Sequence, residues 1–235
     1  MAIVEFKRIE TDAIYSQVID QVLALIRSGV LTQGDQLPSE AELARQFGVS
    51  RSSVREAMKA LTVLGILESK TGVGSFVRES HPSDAAFALL EELAEEGGPF
   101  EIMEARLLIE PEIASLAALR RTAPDLEAMQ RNLDANAELV AREEPIMEVD
   151  LEFHLLMASA SRNPALADCM RMISSRMRKG FWKLMKGESL RVRGRPSLYL
   201  GHHRAVFEAI SEQNASKAKA AVTKHLRAVS EGLEE

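Results

Sequence analysis

Apolar residues recur at helical spacing through the first part of the chain and predict three helices. Residues 12–28 carry one apolar stripe, made by Ile14, Val18, Val22, Leu25 and Ile26. Ser39-Glu40-Ala41-Glu42 has the composition of a capping box and opens a short helix that stops at Gly48. A third helix is predicted over 51–64. Since only a short glycine-containing turn separates the last two helices, we expect a helix-turn-helix.

Two short apolar runs follow this pair of helices. GILES (65–69) and SFVRE (75–79) flank KTGVG (70–74), and glycines between two strand-like runs predict a β-hairpin, the wing of a winged helix. The small core of the unit is expected to contain Leu43, Ala44, Phe47, Val49, Val54, Met58 and Leu61. The polar residues at the start of the third helix remain outside this core, where a recognition helix meets DNA. They are Arg51, Ser52, Ser53 and Arg55.

The second segment has only helical periodicity. We interpret residues 1–80 as a DNA-binding domain, HPSD (81–84) as a linker and 85–235 as an all-α bundle. The seven predicted helices of this segment lie near 84–96, 100–121, 124–141, 145–161, 164–186, 198–212 and 214–232. The fold class is therefore mainly α, with a winged helix-turn-helix followed by a helical bundle.

Composition narrows the class of protein further. The 235 residues are 46% hydrophobic and 27% charged, as in a folded globular protein. The single cysteine, Cys169, excludes an intramolecular disulfide framework and a multi-thiolate zinc site. No apolar run approaches the roughly 18 residues of a membrane span, so we expect a soluble cytoplasmic protein. The net charge of −6 argues weakly against nucleic acid, but residues 45–55 contain three arginines and no acidic residue.

The stretch LPSEAELARQFGVSRSSVREAMKALTVLGILESKTGVGSFV resembles the DNA-binding domain of the GntR family of bacterial transcription regulators. The resemblance implies that Arg51 reads a guanine edge and that Arg55, Ser52 and Ser53 contact bases and phosphates. It also implies that Gly72 lets the wing tip approach the minor groove. From composition alone, both arginines would be ordinary solvated helix residues.

A candidate metal site emerges from histidine spacing. Asp150 and His154 lie four residues apart in DLEFH, so on a helix they share one face and can bind one cation. His202-His203 and His225 lie on two further predicted helices. One carboxylate and three imidazoles suit Zn²⁺, Ni²⁺ or Mn²⁺. The alternative for each histidine is an ordinary core or surface residue.

Residues 84–235 resemble the FCD ligand-binding domain of the FadR subfamily of GntR regulators. The resemblance implies that Asp150, His154, His203 and His225 hold a metal, with His202 outside the ligand set. It further implies that Arg106 lines the effector cavity beside this metal, where a small carboxylate would bridge the two. The alternative for Arg106 is a simple helical pair with Glu110. The basic run 176–195 binds ligand, lies near phosphates or forms a solvated face.

These features predict a regulator and not an enzyme. The chain is expected to act as a homodimeric repressor that binds double-stranded operator DNA and is released by a hydroxy acid or sugar acid. One alternative is a regulator that responds to a long acyl thioester. Another is a metal-dependent hydrolase, although no glutamate base adjoins the histidines as in HExxH.

Overall fold

Ten helices and one hairpin make up the part of the chain that this computed structural model describes, residues 14–70, 72–78 and 99–234. They fall into two compact units, Met1–Gly98 and Pro99–Glu235. The predicted linker at 81–84 and the predicted helix at 84–96 lie outside the described residues. The predicted fold class is confirmed, since the first unit holds the helix-turn-helix and hairpin and the second holds helices.

The first unit follows the predicted order of elements. Its helices are α1 (Ile14–Arg27), α2 (Glu40–Phe47) and α3 (Arg51–Val63), and its strands are β1 (Leu67–Lys70) and β2 (Gly74–Val77). Most of the predicted core is buried, including Val18, Val22, Leu43, Ala44, Phe47, Val54, Met58 and Leu61. The apolar stripe of α1 is shifted from the prediction, because Tyr15, Ile19 and Leu23 are buried whereas Ile14 is 36% exposed.

Serine caps and a left-handed glycine fix the helix-turn-helix. The Ser39 side chain accepts a hydrogen bond from the Glu42 amide, and the Ser50 side chain accepts one from the Ser53 amide. These bonds satisfy amides that otherwise have no partner at a helix start. Between the caps, Gly48 ends α2 with φ of 71°, a conformation that costs glycine little.

The wing is an antiparallel pair with a third backbone segment beside it. Leu67 faces Val77 and Lys70 faces Gly74 across the two strands. The amides of Gly34 and Leu37 donate to the carbonyls of Val77 and Ser75 at 2.8 and 2.9 Å. This edge contact, which the sequence pattern did not predict, attaches β2 to the chain that leads into α2.

The described part of the second unit contains helices and no strand. They are α4 (Pro99–Arg120), α5 (Ala123–Ala141), α6 (Met147–Ala160), α7 (Pro164–Met177), α8 (Gly180–Arg191), α9 (Arg195–Ser211) and α10 (Ala215–Glu234). Helix α4 packs against α6 and α10, and α9 packs against α10. The three helices α6, α9 and α10, which carry the candidate histidines, therefore surround the inner face of α4.

Two predicted boundaries in this unit are wrong. The single helix predicted over 164–186 is two helices, because Lys179 adopts extended backbone (φ −124°, ψ 176°) directly before Gly180. Helix α9 begins at Arg195 instead of 198, since Gly194 turns the chain with φ of 86° and Pro196 suits a first helical turn. Among the described helices, none has the length and hydropathy needed to cross a bilayer.

Candidate functional site

The start of α3 presents polar side chains to solvent. Arg51 and Ser52 are exposed, and Ser53 and Arg55 are half-buried. The Ser50 hydroxyl lies 2.7 Å from the Ser52 hydroxyl and 2.9 Å from that of Ser53, so the capping residue also positions its neighbours. A helix start that presents arginine and serine side chains at its surface offers donors to phosphate and base edges.

Arg55 is oriented by a residue that the sequence pattern did not single out. Its Nε donates to Oε2 of Glu40 at 3.1 Å, and the two side chains are 41% and 39% exposed. The contact joins the first residue of α2 to the second turn of α3. Glu40 therefore holds the Arg55 guanidinium at the surface of the helix pair.

The wing tip is held by a side chain from the preceding loop. Gln36 Nε2 donates to the Val73 carbonyl at 2.9 Å. Gly74 has φ of +136°, and a Cβ built there would lie 2.7 Å from Gln36 Nε2. At the tip, Gly72 has φ of +73° and open space around it. The positive φ therefore favours glycine at 74, where an added Cβ would also displace the end of the Gln36 side chain, whereas Gly72 leaves the tip uncovered.

Three imidazoles converge inside the second unit. His154 of α6, His203 of α9 and His225 of α10 are buried, and one ring nitrogen from each lies within 4.8 Å of the others. Two of these nitrogens, Nε2 of His203 and Nε2 of His225, are 3.3 Å apart. Ligands at 2.0–2.1 Å from a tetrahedral ion are separated by about 3.3 Å. The three histidines thus form a group that could hold a metal ion.

Asp150 lies one helical turn before His154 and joins the same cluster. Its Oδ1 is 3.7 Å from His203 Nε2, and the residue is 1% exposed. The Phe153 ring stacks on His203 with centroids 4.2 Å apart and fixes the plane of that imidazole. One carboxylate oxygen and three imidazole nitrogens are a donor set that fits a divalent transition metal.

Glu110 determines which nitrogen of His154 faces the cluster. Its Oε2 lies 2.6 Å from His154 Nδ1. A carboxylate at one ring nitrogen orients the imidazole and leaves the other nitrogen, here Nε2, to bind a cation. Glu110 is fully buried on α4 and was considered in the sequence only as a helical partner of Arg106.

Arg106 makes the helical pair that the sequence left as one alternative, and it also reaches the histidine cluster. Its Nε donates to Glu110 Oε1 at 2.5 Å, which is the helical pair. Its Nη2 also lies 3.1 Å from His154 Nε2, at the edge of the histidine cluster. The side chain is fully buried, and its Nη1 has no hydrogen-bond partner in the described part of the chain.

Burial and charge fix the ionisation of this cluster. Burial opposes ionisation of Glu110, but Arg106 and then His154 outweigh it and hold the pKa of Glu110 at about 2. Burial also opposes ionisation of Asp150, but attraction to positively charged neighbours, chiefly Lys186, outweighs it and lowers the pKa of Asp150 to about 2. Burial lowers the pKa of His203 to about 3 and that of His225 well below its usual value. At neutral pH both carboxylates are charged and these two imidazoles are neutral, the state that binds metal.

Helix α8 contributes two residues that sequence analysis did not identify individually. Lys186 is buried, with Nζ 3.5 Å from Asp150 Oδ2 and 4.2 Å from the centre of the Tyr199 ring. Trp182, one turn earlier, places its ring 5.5 Å from the Arg106 guanidinium carbon. Both belong to the basic run 176–195, in which six of the eight basic residues are exposed. The charge of the run drew attention to this segment of the sequence, but it could not show that Lys186 is the lysine that is buried.

Comparison with known proteins identifies both units. The description "Bacterial regulatory proteins, gntR family" matches residues 14–77, and "FCD domain" matches residues 101–228. LutR, an HTH-type transcriptional regulator of Bacillus subtilis, is 35% identical over 221 residues, which cover 89% of this chain and 96% of LutR. The chain belongs to the GntR family. The family resemblance predicted from the sequence is therefore confirmed.

Other GntR relatives are also operon regulators. The Uxu operon regulator of Haemophilus influenzae is 32% identical over 87% of this chain and 76% of its own. The Exu regulon transcriptional regulator of Escherichia coli is 32% identical over 92% of this chain and 83% of its own. This GntR protein is thus a DNA-binding transcription regulator with an FCD domain and not an enzyme, which excludes the hydrolase alternative.

Proposed function

We propose that this regulator is a homodimeric repressor that a small carboxylate releases from its operator. A divalent ion would be held by Asp150, His154, His203 and His225, and it would supply a Lewis-acidic centre for one carboxylate oxygen. The observation that carries the proposal is the position of Arg106, which contacts His154 within the histidine cluster. A cationic side chain beside a cation site has a clear use when an anion lies between them.

One nitrogen of His154, Nε2, would serve both the metal ion and Arg106. His154 Nε2 has one lone pair, and in the structure that nitrogen lies 3.1 Å from Arg106 Nη2. Ligation through Nε2 requires the Arg106 contact to be given up, which leaves both Nη atoms able to donate to an anion. We therefore expect a carboxylate to bind the metal-loaded protein much more tightly than protein treated with a chelator.

At the DNA-binding unit, we propose that Arg51 reads a guanine edge and that Arg55, Ser52 and Ser53 contact bases and phosphates. Gly72 would let the wing tip enter the minor groove. Glu40 supports this assignment because it holds Arg55 at the exposed face of α3. Two such units in a homodimer would bind the half-sites of a pseudo-palindromic operator.

The DNA-binding part is tested by fluorescence anisotropy at fixed salt on the DNA upstream of this protein's own gene. We expect a Kd on the order of 10⁻⁸ M for wild type. Arg51→Ala/Arg55→Ala should weaken binding about 100-fold or more, since each arginine–base contact contributes about 1–3 kcal/mol. The matched control is Arg131→Ala/Arg142→Ala, which removes two exposed arginines from the second unit and should change affinity little. Equal binding by both variants would contradict these contacts.

The effector part is tested on the same complex by titrating hydroxy acids and sugar acids. Acids should release DNA from zinc-loaded protein, and His225→Ala should abolish that response together with the bound zinc. Sedimentation of the free protein checks the homodimer. A protein that purifies without metal, and that a long acyl thioester releases from DNA, would overturn this proposal in favour of the acyl-responsive alternative.

A further inference from the structure

Among the buried side-chain donors of the second unit that make no hydrogen bond to a described residue, three lie at the histidine cluster or next to Arg106. They are Arg106 Nη1, Trp182 Nε1 and Lys186 Nζ, each in a side chain that is at least 98% buried. Trp182 and Lys186 are four residues apart and so share one face of α8. Arg106 lies against the Trp182 ring, and Lys186 lies beside Asp150. Buried donors are normally satisfied, so these three groups are available to acceptor atoms of a bound molecule.

The formal charges of the cluster point to the same conclusion. Arg106 is balanced by Glu110 at 2.5 Å, and Lys186 is balanced by Asp150 at 3.5 Å. The histidines bind metal as neutral imidazoles. A divalent ion at the proposed site would therefore leave two uncompensated positive charges in a buried cluster, which is strongly unfavourable. A ligand with two negative charges would restore the balance.

Binding of a divalent ion would affect Lys186 more than any other residue of the cluster. Its ammonium contacts the carboxylate of Asp150 and the face of the Tyr199 ring. When Asp150 serves as a metal ligand, its charge is shared with the ion and is no longer available to Lys186 alone. The ammonium then needs another anionic partner, and the indole N–H of Trp182, on the same face of α8, still needs an acceptor.

We propose, on the basis of the function above, that the effector is a dicarboxylate whose second carboxylate is bound by Lys186 and Trp182 of α8. The first carboxylate lies at the metal and Arg106. Helix α8 thus determines specificity, because it distinguishes a diacid from the monoacid of the same length.

The test uses the full-length, zinc-loaded protein and two matched pairs of acids. Malate differs from 3-hydroxybutyrate, and galactarate from galactonate, by a second carboxylate at the far end. We expect isothermal titration calorimetry to show a diacid binding at least about tenfold more tightly than its monoacid in one pair or both, as charge-assisted hydrogen bonds would give. Lys186→Met should bring this ratio to within about threefold of one.

The matched control is Lys183→Met, which removes an exposed lysine from the same helix and should keep the ratio. Lys186→Arg should retain part of it, and zinc content and thermal unfolding are measured for every variant. The inference is overturned if both monoacids bind as tightly as their diacids to wild type. It is also overturned if Lys186→Met weakens diacid and monoacid equally, since Lys186 would then only balance Asp150. If no acid binds the zinc-loaded protein, the proposed function itself fails.

Discussion

The two units place their functional side chains in opposite environments. In the winged-helix unit, the candidate DNA contacts Arg51 and Ser52 are exposed, and the core beneath them is apolar. In the helical unit, every candidate effector or metal residue is buried and contacts another charged or polar group. Function and stability are therefore separable in the first unit and coupled in the second. A change at the proposed DNA-binding face should alter binding alone, whereas a change in the buried cluster should also alter the fold that holds it.

The largest effect is expected at Glu110, where this coupling is strongest. Glu110→Ala leaves Arg106 buried without its counter-charge, which should lower the free energy of unfolding by about 3–5 kcal/mol. The matched control is Glu112→Ala on the same helix, which removes an exposed pair with Lys219 and should cost about 1 kcal/mol or less. Urea unfolding followed by the fluorescence of Trp182, the single tryptophan, reports on this unit. Equal losses for the two variants would show that the buried network does not stabilise the unit.

The next effect is a dependence of stability on pH in the metal-free protein. His203 has a pKa of about 3 when folded, because of burial, and about 6.5 when unfolded. As the pH falls from 6.5 to 5, the unfolded chain takes up protons that folded His203 does not, so stability is lost. The expected loss is about 1.5 kcal/mol for each such histidine. Glu110 and Asp150 do not contribute in this window, since their carboxyl groups titrate at about pH 4 even when unfolded.

Urea midpoints of wild type and His203→Asn at pH 6.5 and pH 5 measure this dependence. The variant should lose less stability over the interval, because asparagine takes up no proton in either state. The same slope for both proteins would mean that His203 does not remain neutral in the folded unit.

The difference in environment also decides what the sequence could predict. Ser39, Gly48 and Ser50 are caps and turns that act on neighbouring residues, so the helix-turn-helix could be located from local patterns alone. Asp150 and His154 could be paired because both lie on one helix, whereas the choice of His203 and His225 as their partners depended on the family resemblance. Lys186 was not identified and Glu110 was named only as a helical partner of Arg106, because the contacts with Asp150 and His154 join residues more than 30 positions apart. The backbone break at Lys179 was missed because no proline or capping side chain marks it.

Gly74 is an exception to the separation of function from stability in the winged-helix unit. It lies in the wing, but its conformation is constrained by the fold. Gly74→Ala combines a φ of +136° with a Cβ only 2.7 Å from Gln36 Nε2, and we expect a cost of about 1–3 kcal/mol. Gly72→Ala, with a φ of +73° and open space, should cost less, about 1 kcal/mol. Hydrogen–deuterium exchange over β1 and β2 measures both. Adding Gln36→Ala should recover part of the loss at 74 but none at 72, and an equal recovery at both would disprove the close contact.

The smallest effect is expected at Ser50, which caps α3 and also lies at the proposed DNA-binding face. Its hydroxyl caps α3 through the Ser53 amide and contacts the hydroxyl groups of Ser52 and Ser53. Ser50→Ala should lower stability by about 1 kcal/mol, the usual cost of a lost N-cap. Ser52→Ala at the same helix end keeps the cap and should cost under about 0.5 kcal/mol. Thermal unfolding by circular dichroism and anisotropy on DNA separate the two roles. If Ser50→Ala weakens DNA binding without loss of stability, its hydroxyl acts on DNA directly or by positioning Ser52 and Ser53. Function would then be separable from stability even at this helix cap.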